Sequence, residues 1–191
     1  MDTADTLQGH LLIAMPGLND PNFDHTVTYM LEHNEGGAFG LIINRPIEMD
    51  FGDILSQLSL ESEDAALNSQ PVMLGGPVQP ERGFVLHMSD NGDDKRWDST
   101  AKIDNSISVT TSPDILSALA AGNGPEESLF VLGYAGWDAG QLETEIADNA
   151  WLNVSASPEI LFNTPMRKRW EASTRLLGID PASISSEAGH A

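Results

Sequence analysis

The chain has 191 residues, of which 40% are hydrophobic and 20% are charged, so it is long enough to bury one substantial core and predicts a single domain. Its 29 acidic and 9 basic side chains give a formal net charge of −20, which disfavours direct binding to nucleic acid or to an anionic membrane. The sequence contains no cysteine and no apolar run of about 18 residues, which excludes disulfides and thiol catalysis and gives no signal for a membrane helix.

The first part of the chain predicts a strand followed by a hairpin. Residues 9–15 form a short apolar run closed by a Pro-Gly pair, which is typical of a buried strand. Residues 27–32 and 39–44 are strand-like, and the loop between them contains two adjacent glycines that can adopt the positive φ angles of a hairpin. We expect residues 1–8 to be a flexible amino end.

A short amphipathic helix is predicted next. Residues 51–58 place apolar side chains at Phe51, Ile54, Leu55 and Leu58, which is the spacing of a helix that buries one face. Further strands are expected at residues 71–76, 83–87, 101–103 and 107–111.

Two more helices surround a central strand. Ser112 as N-cap and Pro113 at the first helical position predict a helix that runs to about residue 121. Residues 128–134 are almost uniformly apolar, which is typical of a central strand. Asp138, followed three positions later by Gln141, predicts a capping box and a helix that runs to about residue 149.

The carboxyl end predicts a strand at residues 151–155 and a last helix at residues 165–178. This helix contains four of the nine basic residues of the chain, and three of them, Arg167, Lys168 and Arg169, are consecutive. They form a candidate basic surface, where contact with nucleic acid would have to occur. Pairing with acidic groups of the same protein is the alternative use of these charges, and it is the favoured one.

The order of these elements predicts an α+β fold. About eight mostly antiparallel strands and three or four packed helices do not alternate regularly, which argues against a doubly wound α/β sheet. No repeat or composition break marks a linker, so we expect one domain over residues 9–179. The small, polar residues 180–191 predict a mobile tail.

The Gly-rich bend at residues 132–143 has the geometry of a phosphate-binding loop, because it runs from a strand into a capped helix. However, it lacks the Gly-Lys-Ser/Thr sequence and any nearby lysine, and Asp138 places a negative charge at the helix start. The favoured interpretation is that the glycines allow Tyr134 and Trp137 to pack closely.

The spacing of the histidines does not indicate a metal site or a catalytic dyad. None of the five shows the spacing of a metal site, so no metal and no cofactor is predicted. His25 beside Asp24 and His33 beside Glu32 could act in acid–base catalysis, but neighbouring residues on a strand point to opposite faces, so neither pair is expected to form a dyad. Since no serine-nucleophile motif is present either, we predict no catalytic residue.

Two turns suggest where a ligand pocket would lie. Arg45 follows Asn44 at a predicted strand end, where its guanidinium group could bind a carboxylate of a ligand or, as we favour, of the protein itself. The second turn contains Gly75 and Gly76. Strand ends and flexible bends are where ligands meet a rigid sheet. The candidate pocket residues are Asn44, Arg45, Gly75, Gly76, Tyr134 and Trp137.

Several blocks of the sequence, taken in order, resemble the AlgH family, also called YqgE-like proteins. The blocks are GHLLIAMPGLNDPNF, EHNEGGAFGLIINRP, LGGPV, RGFVLH, LGYAGWDAGQLETEIADNAWL and RWEASTRLLGID, and they extend over residues 9 to 180. The sequence differs at His25, where an arginine is expected in this family. The resemblance implies a flattened pseudo-barrel sheet with packed helices in a bacterial cytoplasmic protein. It also implies an association with transcriptional regulation, without a catalytic residue or a DNA-binding motif.

The sequence leaves three functional hypotheses open. The favoured one is a non-enzymatic regulator that acts indirectly, through a protein partner or a small ligand. The second is a hydrolase or lyase that uses histidines and carboxylates, with Asp24, His25 and His87 as its candidates. The third is direct DNA binding through the basic residues of the last helix, which the acidic body of the protein disfavours.

Overall fold

The computed structural model describes residues 6–18, 20–89 and 96–185. The strands are β1 (His10–Ala14), β2 (Val27–Asn34), β3 (Gly37–Ile42), β4 (Pro46–Asp50), β5 (Pro71–Leu74), β6 (Val78–Met88), β7 (Thr100–Lys102), β8 (Ile107–Thr110), β9 (Ser128–Asp138) and β10 (Trp151–Ser155). The α-helices are α1 (Phe51–Gln57), α2 (Ala65–Asn68), α3 (Asp114–Ala120), α4 (Gln141–Ala147), α5 (Arg169–Leu176) and α6 (Pro181–Ser185). A π-helix spans Glu159–Asn163, and a 3-10 turn spans Met166–Lys168.

All ten described strands belong to one curled sheet, in which β9 connects the two halves. The main path is β10-β1-β2-β3-β9-β6-β8-β7, and β4 joins it through β5. The amino part of β9 pairs with β6 and with β5, whereas its carboxyl part pairs with β3. The two parts meet near Gly133, which has a φ of +76°. Of the described pairings, only that of β5 with β9 is parallel.

Both faces of the sheet are covered at β1, which explains why residues 11–14 are apolar without interruption. In β1, Leu11 and Ile13 belong to the largest core, which also contains Trp170 of α5. Leu12 and Ala14 belong to a separate core. Because successive side chains of a strand point to opposite faces, a strand buried on both sides has no polar alternation. A third core lies beneath α1 and α3.

The predicted α+β class is confirmed, and the expected pseudo-barrel of mostly antiparallel strands is observed as the curled sheet. The structure has ten described strands where about eight were expected, and β4 is one that the sequence did not reveal. Its first residue, Pro46, has no backbone N–H group and usually marks a strand break. Here β4 pairs only with β5, so it is an edge strand, where proline is tolerated. Within the described ranges, no helix is long and apolar enough to cross a membrane.

Two helix starts differ from their predictions. Asp138 is the last residue of β9, and α4 begins after Gly140, whose φ is +78°. Part of the predicted capping box is present, because the Asp138 backbone N–H donates to Gln141 Oε1 at 3.0 Å. At α3, the Ser112 hydroxyl donates to Asp114 Oδ1 at 2.5 Å and does not cap the helix.

The ends of the predicted domain carry more structure than the sequence suggested. The backbone N–H of Leu7 donates to His33 Nδ1 at 3.0 Å, and the Thr6 hydroxyl donates to the carbonyl of His33 at 3.0 Å. Helix α6 lies within the segment 180–191 that was predicted to be a tail. Residues 1–5 and 186–191 of the two predicted mobile ends lie outside the described residues, so their mobility stays a prediction.

Candidate functional site

A groove of about 600 Å³ lies where the segment before β2 meets the residues after β3 and the carboxyl-terminal helices. Its polar lining residues are Asp24, His25, Asn44, Arg45, Arg167 and Glu171, and its apolar ones include Met166, Trp170 and Pro181. We call this site the basic groove, because Arg45 and Arg167 both line it in a chain of strongly negative net charge.

Arg45 and Asn44 attach the segment before β2 to the end of β3. Arg45 Nη1 donates to the carbonyl of Pro21 at 2.6 Å, and Arg45 Nη2 donates to the carbonyl of Asp24 at 2.8 Å. The Asn44 amide donates to the carbonyl of His25 at 2.9 Å and accepts from the first residue of β2 at 2.9 Å. The favoured expectation that Arg45 binds a carboxylate of the protein is therefore wrong, since its described partners are neutral carbonyl groups.

His25 and Asp24 form a pair that strand alternation did not predict. His25 has a φ of 53°, so its side chain does not follow the up-and-down pattern of a strand. Its Nδ1 lies 2.7 Å from Asp24 Oδ1, and the two side chains are 54% and 57% exposed. Its ring also contacts Trp170, with the ring centroids 5.0 Å apart. In the tautomer in which Nδ1–H donates to Asp24, Nε2 is available to accept a proton.

Gly75 and Gly76 cross β9 at close range and do not line the basic groove. The Gly75 N–H donates to the carbonyl of Leu132 at 2.7 Å. A Cβ atom on Gly75 would overlap the carbonyl oxygen of Gly133, and one on Gly76 would overlap the backbone of Tyr134. Because β9 pairs with neighbouring strands on both edges, it cannot shift to make space for an added Cβ atom. These glycines are therefore required for packing.

Tyr134 and Trp137 belong to different cores. Tyr134 packs against the largest core, whereas Trp137 is buried in the core that contains Leu142 of α4. Trp137 Nε1 donates to Glu145 Oε2 at 2.8 Å, and Trp151 Nε1 donates to the same oxygen at 2.9 Å. We call Phe23, Trp137, Glu145 and Trp151 the Glu145 cluster, because the ring of Phe23 contacts both indoles.

The six residues of the predicted pocket therefore do not line one cavity. Asn44 and Arg45 line the basic groove, but the two glycines pack on β9 and the two aromatic side chains lie in separate cores. The two turns do meet through their backbones, since the N–H of Leu74 donates to the carbonyl of Arg45 at 2.7 Å. Ligand binding at any of the six stays a prediction.

The predicted basic surface is also divided. Arg167 and Lys168 are exposed, but Arg169 is buried at the start of α5. Arg169 Nη1 donates to the carbonyl of Ile43, and its Nε donates to the carbonyl of Thr164 at 3.1 Å. Burial lowers the pKa of Arg169 to about 10, so the side chain remains protonated at neutral pH. It is a fixed cation inside the fold, and only two of the three consecutive residues can form a basic surface.

The other candidate histidines are occupied in structural contacts. His87 is buried, and its Nε2 lies 2.8 Å from the Thr110 hydroxyl on the neighbouring strand. It does not line the basic groove, so it is not placed to act there with His25. His33 Nε2 lies 2.6 Å from Glu143 Oε1 of α4, and this hydrogen bond holds the pKa of Glu143 below its usual range. Among the described residues, no group of three His, Asp or Glu side chains could hold a metal ion.

Sequence reasoning missed half of the basic groove. Met166, Trp170, Glu171 and Pro181 lie far along the chain from Arg45, and no local pattern connects the two segments. The one available signal was the concentration of basic residues in the last helix, which marked the correct end of the molecule but not the groove.

Comparison with known proteins identifies the family. The model of the AlgH-like family matches residues 11–182. The chain belongs to the AlgH-like family. It is 50% identical to a UPF0301 protein of Ralstonia nicotianae over 190 residues, which cover 100% of this chain and 98% of that protein. It is 49% identical to a UPF0301 protein of Thioalkalivibrio sulfidiphilus over 191 residues, which cover 100% of both chains.

Solved structures agree with the fold of this AlgH-like chain. The solution structure of the AlgH protein from Pseudomonas aeruginosa aligns with a TM-score of 0.78 at 46% identity and covers 100% of this chain and 99% of that one. Protein DIP2367 from Corynebacterium diphtheriae aligns with a TM-score of 0.73 at 18% identity, covering 100% of this chain and 95% of that one, and shows the fold alone. The resemblance carried by the sequence blocks is confirmed.

Proposed function

We propose that this AlgH-like chain is a cytoplasmic, non-enzymatic regulator that acts indirectly, by binding a small ligand or a protein partner in the basic groove. The observation that carries the proposal is the charge of the groove. In a chain with a net charge of −20, Arg45 and Arg167 line one cavity, while Lys168, Arg169 and Arg175 lie in the same carboxyl-terminal segment.

Arginines outnumber acidic groups in and beside the groove, where Arg45, Arg167, Arg169 and Arg175 stand against Asp24 and Glu171. Glu171 pairs with Arg175 at 3.8 Å across one turn of α5, and Asp24 is hydrogen bonded to the His25 ring at 2.7 Å. Within the described residues, the hydrogen bonds of Arg45 go to carbonyl groups alone, which leave its charge uncompensated. The groove therefore keeps an excess of positive charge, which favours binding of a negatively charged group.

Capture experiments with charge-matched variants test this proposal. The immobilised protein, its Arg167→Glu variant and its Lys102→Glu variant are incubated with a bacterial metabolite extract and, separately, with a protein extract, and the retained molecules are identified by mass spectrometry. Both substituted side chains are exposed, both changes alter the net charge equally, and only Arg167 lines the groove. We expect a molecule that wild type and Lys102→Glu retain and that Arg167→Glu retains at least tenfold less. Equal retention by all three proteins would contradict a binding site in the groove.

The His25–Asp24 pair supports hydrolysis as a second candidate function. A histidine oriented by a carboxylate can act as general base toward a water molecule, and Arg45 lines the same groove, where a developing negative charge would need a donor. If the groove hydrolyses esters, replacing His25 by Gln should lower the rate on p-nitrophenyl acetate by about 100-fold. His10→Gln serves as the control, because His10 lies outside the groove. Equal losses in the two variants would show unspecific imidazole reactivity and remove this candidate.

A further inference from the structure

We infer that the basic groove binds a small organic anion, whose carboxylate or phosphate group is held by Arg45 and Arg167 and whose apolar body lies on Met166 and Trp170. The inference rests on the proposed function, because it names the class of ligand for the same groove.

Arg45 retains hydrogen-bond donors after its structural role is fulfilled. A guanidinium group carries five N–H donors, and the two described bonds to the carbonyls of Pro21 and Asp24 use one donor on each terminal nitrogen. The described contacts therefore leave the Nε–H and one N–H on each terminal nitrogen for another acceptor. Both carbonyl bonds also fix the direction of the side chain, so less conformational entropy is lost when an anion binds.

The second cation, Arg167, is an exposed residue of the groove lining and makes no ion pair with any described acid. Arg169 does not line the groove, but it is hydrogen bonded to the carbonyl of Ile43, the residue before Asn44 of the groove lining. Because this buried guanidinium has no described carboxylate partner, its charge adds to the positive potential of the groove.

The apolar part of the groove lining favours an anion that carries an apolar body. The Nε1 of Trp170 donates to the carbonyl of Ala14 at 2.9 Å, so the indole has no donor left and offers only its ring. Met166 is a flexible apolar side chain that adapts to a ligand surface, and Pro181 extends the apolar wall. A volume of about 600 Å³ is in the range of sites for small organic molecules.

Titration of the ¹⁵N-labelled protein with four probes tests the inference by NMR. The probes are benzoate, phenyl phosphate, inorganic phosphate and benzamide, which is the neutral counterpart of benzoate. The Trp170 indole signal, assigned with a Trp170→Phe variant, reports on the groove. We expect benzoate and phenyl phosphate to shift this signal saturably, and we expect benzamide and inorganic phosphate to bind at least tenfold more weakly. The stronger of the two aromatic anions identifies the preferred acidic group.

Two variants test whether binding depends on the charge of Arg167. Arg167→Gln should weaken binding of the preferred aromatic anion by about three- to tenfold, because one charge-assisted contact at an exposed position is lost. Lys102→Gln should leave binding unchanged, since Lys102 lies outside the groove. Benzamide binding as tightly as benzoate, or Arg167→Gln binding as tightly as wild type, would overturn the inference. If captured molecules depend on Arg167 but no anion binds, the proposed function stands and only the anionic ligand class is wrong.

Discussion

The basic groove and the Glu145 cluster both combine aromatic rings with charged side chains. They differ in how many hydrogen-bonding atoms of the charged side chain are used by described contacts. In the cluster, Glu145 Oε2 accepts from both indoles, while Oε1 accepts from the Gln141 side chain at 3.0 Å. In the basic groove, the described contacts of Arg45 use only two of its five donors. Similar residue types therefore end in different states. The described contacts consume the polar atoms of the Glu145 side chain in the cluster, whereas they leave donors on Arg45 in the basic groove.

This difference predicts that different residues determine the stability of the fold and the binding of a ligand. Residues of the Glu145 cluster and the close crossing of Gly75 and Gly76 over β9 should affect stability and leave ligand binding intact. Arg167 should do the opposite. The following substitutions test this separation, beginning with the largest expected effect.

Gly75→Ala and Gly76→Ala should be the most destabilising changes. The added Cβ would overlap the backbone of β9, so we expect the free energy of unfolding to fall by about 4 kcal/mol or more in urea denaturation. Gly136→Ala on β9 itself is the matched control, because the added Cβ would meet no described atom closer than the Tyr134 ring at 3.8 Å. A small effect of the first two changes would mean that the turn is loosely packed, and it would restore the turn as a candidate ligand site.

Glu145→Ala should come next, because it leaves the N–H groups of Trp137 and Trp151 without their acceptor. We expect a loss of about 2 to 3 kcal/mol in the free energy of unfolding, with no change in benzoate binding. Glu48→Ala, at an exposed position, should change stability by less than about 0.5 kcal/mol. Weaker benzoate binding in Glu145→Ala would show that the cluster and the groove are coupled.

Tyr29 should make the protein sensitive to alkaline pH. Burial, together with the hydrogen bond that its hydroxyl donates to Asp104 at 2.8 Å, raises the pKa of Tyr29 far above its usual range. The stabilising effect is complete below the phenol pKa of the unfolded chain, about 10, and falls by about 1.4 kcal/mol per pH unit above it, because only the unfolded state loses the proton there. Between pH 9 and pH 11, urea denaturation should show a loss of about 1.4 kcal/mol in the free energy of unfolding from this group in wild type, and a smaller total loss in Tyr29→Phe. Equal losses would contradict the assignment.

Replacing Arg167 and Lys168 by Ala should have the smallest effect on stability, within about 0.5 kcal/mol, because both side chains are exposed. The same double variant tests direct DNA binding by electrophoretic shift at low salt. We expect no shift of DNA by wild type, given the net charge of −20. A shift that disappears in the double variant would support this surface as a DNA reader, and a shift that persists would place DNA binding elsewhere.

Much of the fold follows from local patterns in the sequence. The apolar run of β1 predicts a buried strand, and the two adjacent glycines predict the turn between β2 and β3. The stripe from Phe51 to Leu58 predicts α1 within one residue of its observed end. These elements are predictable because their signals lie within a few residues, and the ordered sequence blocks identify the AlgH-like family for the same reason.

The site depends on long-range structure. The sequence showed a basic carboxyl-terminal segment and an arginine at a strand end. It wrongly predicted that Arg169 lies on the surface and that the side chains of His25 and Asp24 point to opposite faces. Burial of Arg169 depends on the carbonyl of Ile43, which accepts its hydrogen bond. The contact of His25 with Asp24 depends on the positive φ of His25, which no flanking residue predicts. The sequence by itself therefore determined every strand except β4, the charge distribution and the family. The tertiary structure alone decided which polar groups were consumed by folding, because their partners come from distant parts of the chain.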